Sequence, residues 1–352
     1  MYSKFYAPLL GLLWLLSSCG NTATQEKNAL VTERFSGETM GTTFSITYLD
    51  STHQDLEQAL VQLLIDINKS VSTYVKDSEI SMFNQQDSLE VSNEGHFARN
   101  FEQAQQVYTQ TEGWFNPTVM PLVNYWGFGY TEKKRVAQVD SSLVDSLVKL
   151  VQFEQIALQK KETTTLYSKP AKGVQLDFSA IAKGDAVDEI GRLLEQRGID
   201  NYFVEIGGEI RTRGVTSSDF AWRTAISQPI KGAGKSTASA QLLLELKDKS
   251  LATSGNYENY HQDPVTKQKY AHTINPKTGY PERNSLLSAS VLASDCAIAD
   301  AFATAFMAMG LERAWAIVNN NTAIDGYFIY LDEQGELQEK MTKGFEQLQL
   351  NN

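Results

Sequence analysis

Cysteine, positive charge and long apolar runs are all scarce in this chain. Of 352 residues only Cys19 and Cys296 are cysteines. A disulfide scaffold is excluded, so stability must come from a sizeable hydrophobic core, which a chain of this length can build. Lys and Arg number 31 against 42 Asp and Glu, for a formal net charge of −11. Nucleic acid, which asks for a basic surface, is not an expected partner. An anionic ligand would have to be held by local devices, such as a helix N-terminus or a metal ion. The apolar run Leu9–Leu16 is well short of the roughly 20 residues of a membrane-spanning helix. No internal repeat or low-complexity segment stands out. What remains is 42% hydrophobic and 21% charged, the composition of a soluble globular protein of one large domain or two closely associated ones.

The N-terminus reads as a targeting segment. Lys4 supplies the positive end and Leu9–Leu16 the short apolar stretch. It closes on Leu16-Ser17-Ser18-Cys19, which resembles a bacterial lipobox and implies cleavage before Cys19 and lipidation of its thiol. The expected organisation is a leader over 1–18, a polar tether over 19–31 and a single domain over 32–352. The expected location is the periplasm or cell exterior, with the chain held to a lipid membrane through Cys19. Loss of Lys4 would take the mature charge to about −12. Cys296 is then unpaired, and its apolar surroundings suggest a small core residue.

Periodicity gives the elements. Thr43–Leu49 alternates as a strand after the Met40-Gly41-Thr42 turn, and residues 54–71 carry Leu56, Leu60, Leu63, Leu64, Ile67 and Val71 at helical spacing. A second helix is expected over 96–111 and a third over 141–151. Strands are expected near 155–158, 163–167, 174–177, 202–206, 222–227, 241–246, 251–254, 286–292 and 324–331. Between them lies Gly113–Tyr130, where two prolines, three glycines and six aromatics exclude a long regular element. Such a segment either plugs a core or lines a pocket for a flat ligand. Leu176–Gly184 reads as a strand-to-helix switch, with Ser179 as N-cap, Lys183 one turn in, and free N–H groups where an anion could rest. The helix continues to Gln196. Strands mixed with helices in this order predict the α+β class, with mixed, largely antiparallel sheets packed with helices.

The stretch Ser294–Gly310 predicts a helix that is apolar on nearly every side and therefore buried. Asp300 interrupts it, and Thr304 follows on the same face. A buried carboxylate needs a partner, and no Lys or Arg stands at helical spacing from Asp300. Two readings follow. A hard cation such as Mg²⁺ takes Asp and Thr oxygens. Alternatively, Asp300 is held by backbone donors of a neighbouring segment, with Thr304 bonding back to the Asp300 carbonyl. Of the four histidines, His53 and His96 stand at helix starts and suggest solvent positions. His272 precedes the turn Asn275-Pro276-Lys277-Thr278-Gly279, well placed to face a cleft.

Eight short motifs run in order along the chain: MGTTFSI (40–46), STY (72–74), FNPTVMPLVNYWGFG (115–129), LDFSAIAKG (176–184), VEIGGE (204–209), ATSGNY (252–257), AHTINPKTG (271–279) and SDCAIADAFATA (294–305). Together they resemble the ApbE family, flavin transferases that move FMN from FAD to a protein. The resemblance implies an ApbE-like, T-fold-related architecture. It implies Mg²⁺ held by Asp300, Thr304 and the carbonyl of Ala180. It implies FAD as substrate, contacted by Met40, Tyr74, Phe115, Asn116, Pro117, Asp177, Lys183 and Ile274. His272 matches the family's functionally important histidine, as a base or a ligand-positioner. Some members carry a second Asp where this chain has Ala303, which bears on a second metal site. The implied partner is an acceptor protein, typically a subunit of a membrane redox complex. No acceptor-like segment is found in the chain itself. The same site chemistry would also serve a Mg²⁺-dependent FAD pyrophosphatase giving FMN and AMP, or a non-catalytic FAD-binding lipoprotein.

Overall fold

The computed structural model describes residues 30–131, 139–227, 240–255, 260–262 and 269–350. The leader, Cys19 and the tether up to residue 29 lie outside the described residues, as does the His261 side chain. Eight strands form the central sheet: β1 (Val31–Thr39), β2 (Thr42–Asp50), β3 (Tyr202–Ile206), β4 (Glu209–Arg213), β5 (Ser250–Gly255), β6 (Leu286–Ala293), β7 (Asp325–Leu331) and β8 (Leu337–Met341). Their order across the sheet is their order in the chain, and every neighbouring pair is antiparallel.

That topology positions the site. In an antiparallel meander alternate connections emerge at the same end of the sheet. The β1–β2, β3–β4 and β5–β6 connections therefore share one end, and they carry Met40, Gly207–Gly208, and the segment through His272 and Ile274. The β1–β2 connection is a two-residue hairpin loop. Met40 and Gly41 both have positive φ, 51° and 75°, as the strand twist requires.

Among the described residues the α-helices are α1 (Glu57–Val71), α2 (Glu79–Gln85), α3 (His96–Gln110), α4 (Met120–Tyr125), α5 (Ser141–Val148), α6 (Ala182–Gln196), α7 (Cys296–Met309), α8 (Leu311–Asn320) and α9 (Lys343–Glu346). Alternation along the strands divides the sheet into two faces. Ile46, Val204, Ala252 and Val291 point to the face covered by α1, α3, α6 and α7. Ile210, Leu251, Leu292 and Ile329 point to the other, covered by α9 and a ribbon of Trp222–Ser227 with Ala240–Leu246. α7 is wedged between the sheet and the other helices, with every residue but Ile298 and Thr304 buried. Its N-terminal N–H groups, at Cys296 and Ala297, are capped at 3.0 Å by both oxygens of Asp188, a carboxylate from α6. Cys296 is buried, as expected. No helix among the described residues is long and apolar enough to cross a membrane.

Several expectations are corrected. Val174–Asp177 joins no sheet, because its polar groups bond elsewhere. Leu176 exchanges hydrogen bonds with the Asn84 side chain at 2.7 and 2.8 Å, and the Asp177 N–H donates to the Pro117 carbonyl at 2.8 Å. Ser179 is not the cap of α6. Its N–H and hydroxyl both donate to Asp177 Oδ1, at 2.8 and 2.6 Å, and the helix starts at Ala182. His96 is largely enclosed, within 4.0 Å of Asp185 and 3.8 Å of Glu189, whereas His53 is exposed. The strands β1, β4 and β8, a strand at Ser88–Ser92 and the helices α4, α8 and α9 have no counterpart in the sequence reading.

Candidate functional site

One cleft, of about 800 Å³, opens at the end of the sheet where the three connections meet. Its lining includes every expected site residue: Met40, Tyr74, Phe115, Asn116, Pro117, Asp177, Ala180, Lys183, His272, Ile274, Asp300 and Thr304. They come from segments far apart in the chain, so the cleft exists only in the folded state.

Its aromatic wall comes from the Gly113–Tyr130 segment, which does both things its composition allowed. Trp126 plugs a small core with Leu122, Val144 and Ile274, while Trp114, Phe115 and Phe128 line the cleft. Asn116 Oδ1 accepts from the Thr118 N–H and hydroxyl and starts the short turn Pro117–Val119. The Trp126 indole N–H donates to the Gly279 carbonyl at 2.7 Å, fastening this wall to the Asn275–Gly279 turn. Asn275 holds that turn with its own side chain, accepting from Lys277 and Thr278. His272 is on the same lining, its ring 6.5 Å from that of Phe128. Tyr74 stands apart from the packing at 71% exposure, a free ring face at the cleft.

The polar wall is built where α6 crosses α7. The crossing requires glycine at position 184, since a Cβ there would lie 2.4 Å from the Cys296 carbonyl oxygen. This close approach brings Lys183 and the Gly184 N–H to Asp300. Gly184 donates to Asp300 Oδ2 at 3.2 Å, and Lys183 Nζ lies 3.6 Å from the same oxygen. Lys183 is nearer still to Glu209, at 2.9 Å from Oε1. Glu209 is delivered by the β3–β4 turn, where Gly207 and Gly208 have φ of 61° and 104°. Thr304 Oγ1 is 3.2 Å from Ser254 Oγ, on β5, so it does not depend on the Asp300 carbonyl. The partner of Asp300 thus comes from another helix, beyond the reach of spacing within α7.

Charges in this wall are strongly perturbed. Burial raises the carboxyls of Asp300 and Glu209 above their ordinary range, with Lys183 pulling both back down. Burial alone would lower the Lys183 ammonium, but Asp300 and Glu209 outweigh it and hold it above its usual value. Burial also raises Asp177, opposed by its bonds from Ser179.

The donors suit a hard cation. Both contacts given for Asp300 fall on Oδ2, and Asp300 lines the cleft together with Thr304 and Ala180. Among the described residues no group of three or more His, Cys, Asp or Glu is arranged to hold a metal. One carboxylate with neutral oxygens is the pattern of Mg²⁺ sites whose remaining ligands are waters and substrate phosphates. The anion cradle expected at 179–181 is less open than its sequence suggests. The Ser179 N–H is taken by Asp177, and those of Ile181 and Ala182 by the Phe178 carbonyl. Lys183 is the cation that remains at that point. Residues the sequence reading did not single out also line the cleft: Thr73, Glu209, Thr253 and Ser254. All four stand inside the quoted motifs STY, VEIGGE and ATSGNY, which was the signal available.

Known proteins similar to this chain in sequence and in shape agree among themselves. Residues 40–328 match the family model described as the ApbE family. A Vibrio cholerae protein named FAD:protein FMN transferase is 38% identical over 320 residues, 89% of this chain and 90% of that one. A Haemophilus influenzae protein of the same name is 33% identical over 92% of this chain and 93% of its own. Among solved structures, the flavin transferase ApbE from Vibrio cholerae superposes with a TM-score of 0.78 at 34% identity, covering 91% of this chain and 99% of that one. The apo flavinyl transferase ApbE of Pseudomonas stutzeri gives 0.76 at 28% identity, over 91% and 97%. With the family's motifs gathered on one cleft, and with such relatives along nearly its whole length, the chain belongs to the ApbE family.

Proposed function

We propose that the protein transfers FMN from FAD to a Thr or Ser hydroxyl of an acceptor protein, releasing AMP. One observation carries this reading. A single cleft joins exposed and lining aromatics suited to a flat ring system with an oxygen and ammonium wall suited to a diphosphate. Its volume lies within the usual range of ligand pockets.

In the reaction the acceptor hydroxyl oxygen attacks the FMN phosphorus, and the bond from that phosphorus to the AMP oxygen breaks. The hydroxyl proton passes to His272, and AMP leaves with the electron pair. A base so placed typically contributes about 10²–10⁴-fold. Lys183 lies against the diphosphate and offsets charge on its oxygens. Tyr74 stacks on a ring of FAD, and the walls built on Phe115–Pro117 and Ile274 fix the rest of the ligand, so that the phosphorus is held in line with the hydroxyl. Asp300, Thr304 and the Ala180 carbonyl are the residues that would hold Mg²⁺. When bound, it neutralises phosphate oxygens and lowers the cost of charge development. Export and lipid attachment through Cys19 are part of the proposal, supported by Leu16-Ser17-Ser18-Cys19. The acceptor would be a subunit of a membrane redox complex.

The test is to incubate the full chain with FAD, Mg²⁺ and a candidate acceptor, then weigh the acceptor and assay AMP. A flavin-sized mass gain matched by AMP is expected. Free FMN and AMP with no gain on any acceptor would move the chain to the FAD pyrophosphatases.

A further inference from the structure

Glu209 lines the cleft but has no part in the chemistry above. It is 3% exposed, with Oε1 on Lys183 at 2.9 Å and Oε2 buried without a hydrogen-bond partner among the described residues. Lys183 is also 3.6 Å from Asp300 Oδ2. One ammonium therefore stands between two buried carboxylates, and it sits closer to the one not expected to hold metal. Two acidic groups thus share one basic partner.

Position decides what that charge can do. A lysine ammonium on a flexible four-carbon stem can shift by less than an ångström at little cost. Without Glu209, Asp300 would be the one buried carboxylate beside Lys183 among the described residues, and a buried charge left unpaired is costly. Lys183 would then close on Asp300 and neutralise the oxygens a divalent cation needs. We propose that Glu209 is a positioning residue that holds Lys183 off Asp300 and so keeps that carboxylate open to a divalent cation. This rests on the assignment of the cation to Asp300, and the test separates the two.

Divalent-cation affinity is read directly, without FAD or turnover, by titrating the full chain with Mn²⁺ and following free Mn²⁺ by electron paramagnetic resonance. Wild type should bind and Asp300→Asn should not. Glu209→Gln should bind about 10–100-fold more weakly, as for loss of other groups that support a metal ligand. The double variant Lys183→Met/Glu209→Gln removes the competing ammonium along with its holder. It should return close to wild-type affinity, which no purely structural role of Glu209 predicts. Lys183→Met alone should bind at least as tightly as wild type, and melting curves establish that each variant is folded. If Glu209→Gln binds as wild type, or if the double variant stays as weak as Glu209→Gln, the positioning role is overturned while the cation stays on Asp300. In the second case Glu209 would be a ligand itself. If Asp300→Asn binds as well as wild type, or wild type binds no Mn²⁺, the cation assignment fails and this inference falls with it.

Discussion

At the scale of single residues, exposure separates ligand contacts from structural ones. Tyr74 is the clearest case, because a ring 71% exposed contributes little to packing. Tyr74→Ala should weaken FAD binding by about 1–3 kcal/mol, the usual worth of a ring stacked on an aromatic side chain. Its melting temperature should stay within a degree or so of wild type. Quenching of FAD fluorescence on titration measures the first, and unchanged affinity would remove Tyr74 from the site. Asp300 shows how far one residue can be read from sequence. Its place on one face with Thr304, in a largely buried helix, was legible because both stand on one helix, where spacing is geometry. Its ties to Lys183 and the Gly184 N–H were not, because α6 and α7 are far apart in the chain and meet only at a glycine crossing. Glu209 was hidden for the same reason, as its partners lie on two other elements.

Elements can be tested through the contacts that join them. At the α3–α6 contact, Asp185 is fully buried, with Asn100 Nδ2 at 2.9 Å and Arg99 Nη1 at 3.9 Å. Burial pushes its carboxyl up to about 7, with Arg99 and Asn100 opposing and Glu189 and Asp188 adding to the rise. A carboxyl raised on folding favours the native state most fully below its unfolded value, and that contribution is lost as pH climbs toward the folded one. Wild type should therefore lose stability relative to Asp185→Asn between about pH 5 and pH 8, on the order of 2 kcal/mol. Urea midpoints at the two pH values give the difference, and parallel changes in both proteins would contradict it. His96, lowered by burial and by Arg99, acts in the opposite sense at the acid end, and lying within 4.0 Å of Asp185 it is coupled to that carboxyl, so the same pair of midpoints is taken in a His96→Gln background. At the α6–α7 crossing, Gly184→Ala places a methyl against the Cys296 carbonyl and Ala297. Such overpacking against backbone should cost about 1–3 kcal/mol or more. It should also depress flavin transfer, since Lys183 and the Asp300 donor ride on the same turn. A stable, fully active Gly184→Ala protein would show that the two helices can part freely. Helices and strands with strong periodicity, such as α1, β2 and β6, were legible from sequence. Val174–Asp177 looked like a strand because its residues alternate, yet the Asn84 side chain and the Pro117 carbonyl take its hydrogen bonds, and distant partners of that kind leave no periodic trace.

For the whole molecule, class was legible and topology was not. Mixed strands and helices indicated α+β, but nothing in local patterning states that eight strands line up in chain order, because strand neighbours depend on long-range pairing. The motifs of the family did what periodicity could not, by marking which distant segments would meet. The proposed lipid attachment is likewise a property of the whole molecule. Cys19→Ala should shift the protein from the membrane to the soluble fraction or leave its leader uncleaved, because stable anchoring depends on the acyl chains. Fractionation and gel migration read this, and a variant indistinguishable from wild type would refute a lipid on Cys19.

The position of β1 has a consequence for reach. It enters the sheet at Val31 and climbs nine residues to the Met40 turn at the cleft, a rise of about 30 Å. A lipid on Cys19 would therefore suspend the domain by the end of the sheet opposite its cleft, on a tether able to extend at most about 3.5 Å per residue. With that tether drawn taut, the mouth of the cleft would face away from the bilayer. Hydroxyls lying flat against the lipid headgroups would be poor acceptors, and those carried outward on a stalk or an extramembrane domain would be the ones presented to it.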